Sequence, residues 1–419
     1  MSNILSVKAM EVLDSRGNPT VKCILKTSRG VFSAIVPSGA STGKHEALEL
    51  RDGGIRYGGK GVRKGVSNAN TILAKRVNGM DCTNQNAIDD AMIALDGTEH
   101  KSNLGANAIL AVSLAACRAG ASHQDLPLYE HIRRISRSKK LSLPIPQLNI
   151  INSGKHAGLE NDIQEHMILP TGFKKFSEAL RAGAETYHAL KSLLKKKYGA
   201  QATLLGDEGG FAPPIADVEE RLDLIMDAIA LAGYDKKIKL GLDCASSEFF
   251  NNGTYTIGKK KFDHKELIGF YKTLSKKYPI VTIEDGMEED DWEGWLMLNK
   301  ELGRKIQLVG DDLLVTNIKR IGMAISKKAC NALLLKVNQI GTVTESIGSA
   351  NLCSSKKWNV VVSHRSGETE DDFIADLVVG LGASQSKFGA PARSDRTAKY
   401  NRLLEIEQEL GSKARFASM

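Results

Sequence analysis

Ile280-Val-Thr-Ile-Glu284, Gln307-Leu-Val-Gly-Asp311, Ala332-Leu-Leu-Leu-Lys336 and Val360-Val-Val-Ser-His364 are short apolar runs, each ending on a charged or titratable residue. An earlier run, Leu240-Gly-Leu-Asp243, ends the same way, and a weaker one reaches Lys387. From Glu284 onward these terminal residues recur every 23 to 28 residues, with helical patterns between them. That interval is about one strand-helix unit of a TIM-type barrel of ~250 residues. In such barrels the C-terminal strand ends meet on one face, where active sites are built. A single polar strand end signals only that a loop begins, but a series of Asp, Glu, Asp, Lys and His signals a site.

Working outward, the first ~135 residues follow a different grammar. Val21–Thr27 and Val31–Val36 flank a Ser28-Arg29-Gly30 turn, as in a hairpin. Glycine-rich loops follow at 38–43 and 53–65, and then helical patterns including the Ala-rich 107–121. Strands followed by helices predict a small α+β domain. A basic stretch gives way to a Pro-punctuated strand near 138–146, so the expected boundary separates residues 1–138 from 139–419. The predicted fold is α/β.

The chain has 419 residues, of which 42% are hydrophobic and 25% charged, which excludes disordered and collagen-like classes. Its longest apolar stretch, 104–117, is interrupted by Gly, Asn and Ser and is too short for a bilayer, which needs ~20 residues. The first residues, MSNILSVKAMEVLDSRGN, lack a signal core, so the expected location is cytoplasmic. Six scattered cysteines form no CxxC pair and read as buried thiols in a reducing compartment. Fifty-seven basic against 49 acidic residues leave a net charge of +8. Without interleaved aromatics or a nucleic-acid motif, the excess reads as solvated lysine faces.

Three carboxylates, Asp243, Glu284 and Asp311, repel one another at a shared barrel mouth unless a cation neutralises them. Oxygen-only ligands favour Mg²⁺ or Mn²⁺ over zinc; the plain alternative is three independent acids. Lys336 reads as a base of lowered pKa beside such a cation, or as a structural ion-pair partner. Asp207-Glu208 precedes a Gly-Gly turn that lets backbone approach a ligand. His364, Arg365 and Ser366 suit an anion such as phosphate. Pro37–Lys44 fails the P-loop pattern, because its glycines are too close and His45 follows the lysine. It reads instead as a lid contributing Ser41. His156, in an Asn-Ser-Gly-Lys-His-Ala-Gly stretch, is equally compatible with a site and with structure.

At these residues the chain resembles the enolase family, the phosphopyruvate hydratases, along essentially its whole length. The matching blocks are DSRGNPTV (14–21), VPSGASTG (36–43), LGANAILAVSLA (104–115), KHAG (155–158), GDEGGFAPP (206–214), LGLDCASSEF (240–249), IED (283–285), VGDDLLVTN (309–317), LLLKVNQIGT (333–342), SHRSGETED (363–371) and GAPARSDR (389–396). KHAG and GAPAR look more like archaeal than bacterial members. The resemblance implies an N-terminal α+β domain capping a barrel that begins ββαα, the ββαα(βα)6 form. It implies that Asp243, Glu284 and Asp311 hold one Mg²⁺, and that a second arrives with substrate, aided by Ser41. Lys336 then matches the base that removes the C2 proton of 2-phosphoglycerate. Glu208, assisted by Glu165, matches the acid that expels the 3-hydroxyl to give phosphoenolpyruvate. Lys387 is expected to pair with the substrate carboxylate and Arg365 and Ser366 with its phosphate, with His156 and His364 completing the pocket.

Four residues beside this set depart from the family pattern: His166 for Phe, Gly286 for Pro, Phe388 for a small polar residue and Ser153 for Gly. The expectation is altered rate or lid behaviour, with the reaction unchanged. Lys22 and Glu405 reverse the signs of a pair that meets across the family's two-fold dimer, which reads as a compensated swap in a homodimer. Competing readings are a related enzyme acting on another carboxylate acid, and a binding role in which the +8 charge meets RNA. The 363–368 block and Lys387 argue against the former; the intact catalytic set argues against the latter.

Overall fold

A computed structural model describes residues 1–39, 43–158 and 160–419. The expected Ser41 contribution falls outside the described residues.

Strands β1 (Ser6–Leu13), β2 (Pro19–Thr27) and β3 (Gly30–Ile35) form an antiparallel sheet in the order β1-β2-β3. The expected hairpin is β2–β3, and its turn uses Gly30 at φ +140°, a region that favours glycine. Helix Ala106–His123 packs on this sheet, and its Ala-rich face permits the approach. The chain then crosses residues 137–144 into the barrel.

Barrel strands are β4 (Ile145–Asn152), β5 (Glu165–Pro170) and β6 (Ile238–Asp243), followed, after a small sheet of β7 (Phe250–Asn251), β8 (Thr254–Ile257) and β9 (Lys260–Phe262), by β10 (Ile280–Glu284), β11 (Gln307–Gly310), β12 (Ala332–Leu335), β13 (Asn359–Ser363) and β14 (Gln385–Lys387). The closed order is β10-β11-β12-β13-β14-β4-β5-β6. Strand β5 runs antiparallel to β4 and β6, and the remaining barrel pairs are parallel. Helices Phe176–Tyr198 and Val218–Leu231 follow β5, and six βα units complete the ββαα(βα)6 pattern. The interior is closed near the N-terminal strand ends by an amide layer. Gln385 accepts from Gln147 at 2.6 Å and from Gln307 at 2.9 Å, and Asn359 donates to Gln307 at 2.8 Å.

Buried ion pairs tie the N-terminal elements to the barrel. Arg118 bridges Asp371 at 2.8 Å and Asp372 at 2.7 Å, and buried Lys101 meets Glu345 at 2.9 Å. Ser38 and Gly367 exchange two backbone hydrogen bonds at 2.7 and 2.8 Å, which lays the segment before residue 40 on the loop that follows β13.

Candidate active site

The mouth of the barrel gathers nearly every residue singled out above. His156, Glu165, Glu208, Asp243, Asp311, Lys336, Ser363, His364, Arg365, Ser366 and Lys387 line one small cavity of about 30 Å³, together with Gln164. Glu284 is buried beside it, tied to Lys387. Glu165 reaches the mouth although it begins its strand, because antiparallel β5 places its first residue opposite Asp243.

Two ammonium groups neutralise the carboxylates. Lys387 Nζ lies 2.8 Å from Asp243, 2.8 Å from Glu284 and 3.1 Å from Glu165. Burial opposes its charge, yet these carboxylates hold it well above the ordinary lysine range. Lys336 pairs with Asp311. Burial again opposes charge, and Asp311 raises its pKa, so the chain alone does not produce the lowering expected from sequence. Gln339 donates to the other Asp311 oxygen at 2.8 Å.

The carboxylates gather differently from the expected triad. Asp285, Asp311 and Asp312 lie close enough to hold one cation, as do His156, Glu165 and Glu208; among the described residues, Asp243 and Glu284 belong to neither group. Lys387 donates to both of those acids at 2.8 Å. Asp285 is itself occupied, accepting the backbone N–H of Asp311 and of Asp312 at 2.8 Å each, which shapes the loop after β11.

Opposite them, Glu165 and Glu208 share His156, whose Nδ1 lies 3.4 Å from the first and 3.8 Å from the second. Burial and the neighbouring Glu208 charge push Glu165 up to about 7. Burial also opposes ionisation of Glu208, but His364 and His156 hold its carboxyl well below the usual range. Of the two, Glu165 is therefore the carboxylate that takes up a proton first as pH falls. Arg396 donates to His364 Nδ1 at 2.6 Å, and an arginine has only donors, so the imidazole proton sits on Nε2, facing Glu208 at 3.1 Å. Burial pushes the His364 pKa down to about 3, which keeps the ring neutral.

Arg365 meets Glu46 at 2.9 and 3.2 Å, and Glu46 also accepts the backbone N–H of Gly43 at 3.1 Å. Lys44 lies 3.3 Å from Glu288 and 3.2 Å from Glu289. The far side of the expected lid is thus anchored to both Arg365 and the barrel. The Gly-Gly turn after Glu208 serves packing: a Cβ on Gly209 would lie 2.9 Å from the Ala392 carbonyl, and one on Gly210 would lie 2.4 Å from Asn152.

Glu46, Gln164, Gln339 and Arg396 are site residues to which sequence reading gave no role. Arg396 lay within a matched block, and Gln164 directly precedes Glu165. Neither carried a chemical signal of its own.

Each of the four departures now has a physical setting. His166 is fully buried, and neither ring nitrogen makes a hydrogen bond of normal geometry. Burial holds its pKa well below 6.5, so it folds neutral while the unfolded chain still protonates it. That costs stability as pH falls below ~6.5, by up to about 1.4 kcal/mol per unit. His166→Phe is therefore expected to raise stability by about 1–2 kcal/mol at pH 7 and by more at pH 5.5, as read by urea unfolding at both values. Phe388 is fully buried, its ring 6.0 Å from that of Tyr400. Phe388→Thr is expected to cost about 2–4 kcal/mol in the same measurement, through the cavity it leaves. Ser153 donates its hydroxyl to the Ile163 carbonyl, closing the loop that carries His156. A Cβ on Gly286 would lie 2.9 Å from Leu298, a side-chain end that can yield.

Comparison with known proteins agrees with this geometry. Residues 4–132 match the family model described as the enolase N-terminal domain, and residues 140–419 match the enolase C-terminal TIM barrel domain. An enolase from Elusimicrobium minutum is 56% identical over 420 residues, covering 100% of this chain and 98% of the relative. One from Methanopyrus kandleri is 56% identical over 421 residues, covering 99% and 98%. One from Solanum lycopersicum is 53% identical over 433 residues, covering 100% and 98%. A bacterial and an archaeal relative are thus equally similar, so overall identity does not single out the archaeal pattern. The chain belongs to the enolase family of hydro-lyases, which dehydrate 2-phosphoglycerate to phosphoenolpyruvate.

Proposed function

We propose that Lys336 removes the C2 proton and that Glu208 delivers a proton to the departing 3-hydroxyl. The supporting observation is that Lys336 and the Glu165–Glu208 pair line the same cavity as separate proton-handling groups. Arg365 and Lys387 both press Lys336 toward its neutral, basic form, and Asp311 opposes them. The C2–H electrons pass into the substrate carboxylate, and the C3–O bond then breaks as the hydroxyl takes its proton. Glu208 is ionised at rest, so the proton it delivers first passes to it from Glu165, the more basic carboxylate, through the shared His156. Arg365 and Ser366 bind the phosphate, His364 orients Glu208, and Lys387 turns from its own carboxylates to that of the substrate.

The donor set fits a hard divalent cation. Asp243, Glu284 and Asp311 offer only oxygens, and the buried Glu284 Oε2 accepts no hydrogen bond. Mg²⁺ is the proposed ion, two per site, with Ser41 contributing to the second. When bound, it neutralises the carboxylates and stabilises the second negative charge that develops on the substrate carboxylate. Absorbance at 240 nm with 2-phosphoglycerate tests this reading: a rise with Mg²⁺ that EDTA abolishes is expected, and a flat trace from folded, Mg²⁺-supplied protein contradicts it.

We take residues 1–138 and 139–419 as the two domains. A cytoplasmic location agrees with six buried, unpaired cysteines, and no helix among the described residues is long and apolar enough to cross a membrane. A two-fold homodimer carrying the Lys22–Glu405 swap is supported by Glu405, whose side chain is 64% exposed and, among the described residues, paired only with Arg402 at 3.1 Å. Glu405→Arg should weaken the dimer and added Lys22→Glu should restore it, by sedimentation; insensitivity to both contradicts the swap.

A further inference from the structure

A basin of about 660 Å³ opens at the N-terminal ends of the barrel strands, the face opposite the active site. Lys239, Arg304, Lys305 and Lys357 line it, and no Asp or Glu side chain does. Among the described residues none of these four side chains makes an ion pair or hydrogen bond. Some cations elsewhere on the barrel exterior are matched, Lys272 with Glu301 at 2.7 Å, Lys277 with Glu219 at 2.7 Å and Lys197 with Glu220 at 3.0 Å, whereas the basin gathers four unmatched ones in one concavity. Gln307 and Asn359 also line the basin, and their 2.8 Å hydrogen bond puts neutral amides at its base.

One structural explanation is that these cations complement helix dipoles. Helices Trp292–Leu302 and Val343–Ser355 do end beside Arg304 and Lys357. Each C-terminus presents about half a negative charge, roughly one in all, and the α-carboxylate of Met419, also in the lining, adds one more against the four positive side chains. About two charges remain uncompensated in a concave surface, where low-dielectric walls concentrate the field. The volume lies within the range of small-molecule sites, about 300–1,000 Å³.

We propose that this basin is a binding site, separate from the catalytic one, for a small molecule bearing a polyphosphate, of the size and charge of a nucleoside triphosphate. Three or four clustered phosphate charges match the cations in number, and no Asp or Glu side chain of the lining competes for them; the α-carboxylate of Met419 is the one acidic group among the lining residues. Calorimetric titration with tripolyphosphate and with ATP, each in EDTA at low and moderate salt, tests the site. One binding event that weakens with salt is expected. Arg304→Glu with Lys357→Glu should weaken it at least about tenfold, with 2-phosphoglycerate turnover unchanged. Lys336→Ala should leave it intact. Binding that survives the double substitution, or is lost in Lys336→Ala, places the anion elsewhere and overturns the proposal. So does failure of both probes to bind, including the case in which only an RNA oligonucleotide binds.

Discussion

Lys336→Ala is expected to lower kcat by about 10³-fold while leaving the fold intact, the scale on which removal of a positioned general base acts. The substitution takes away the amine at the cavity and leaves Asp311 held by Gln339 at 2.8 Å. KM should change little, because Arg365, Ser366 and Lys387 are untouched. Stopped-flow absorbance with far-ultraviolet circular dichroism as the folding control checks both statements. A loss below tenfold would remove Lys336 from the chemistry and leave it as an ion-pair partner.

Arg396→Leu is expected to cost about 3–5 kcal/mol, because deleting one member of a buried charged network strands the others. The guanidinium is fully buried and donates to His364 Nδ1 at 2.6 Å and to the carbonyls of Arg365, Ser366 and Asp207 at 2.5, 2.6 and 3.0 Å. Its Nε lies 2.8 Å from Asp395. One planar side chain thus sets the His364 tautomer and ties the His364–Ser366 loop to the Asp207–Glu208 turn. Arg396→Lys keeps the charge without the fork and should fall between wild type and leucine in both urea midpoint and kcat. If Arg396→Leu unfolds at the wild-type urea concentration, the network contributes nothing net.

The parallel half of the barrel was legible because its strands are buried on both faces and read as continuous apolar runs. Their spacing placed Asp243, Glu284, Asp311, Lys336, His364 and Lys387 at one mouth without further knowledge. Strand β5 was not legible that way: its cavity-lining residue stands at its start, and only the resemblance supplied Glu165 and the ββαα opening. Strand β1 went unread as well, since its outer residues mix Lys, Glu and exposed Met10 in a pattern typical of an edge. The pairing of Lys387 with Asp243 and Glu284 has no sequence signature, because it depends on which neighbours a long, flexible ammonium finds in three dimensions. For the same reason, sequence pointed to altered kinetics at His166 and Phe388, whereas their complete burial points to stability. The unpaired cations at the barrel floor are spread from 239 to 357 in the chain, so their grouping is visible only in the fold.

The central claim is that proton removal at C2 and hydroxyl loss at C3 belong to different residues, Lys336 and Glu208. Solvent exchange of the C2 proton, followed by proton NMR of 2-phosphoglycerate in D₂O with Mg²⁺, separates the two. Glu208→Gln is expected to exchange the C2 proton while forming almost no phosphoenolpyruvate, and Lys336→Ala to do neither. Exchange at the wild-type rate in Lys336→Ala would contradict the assignment.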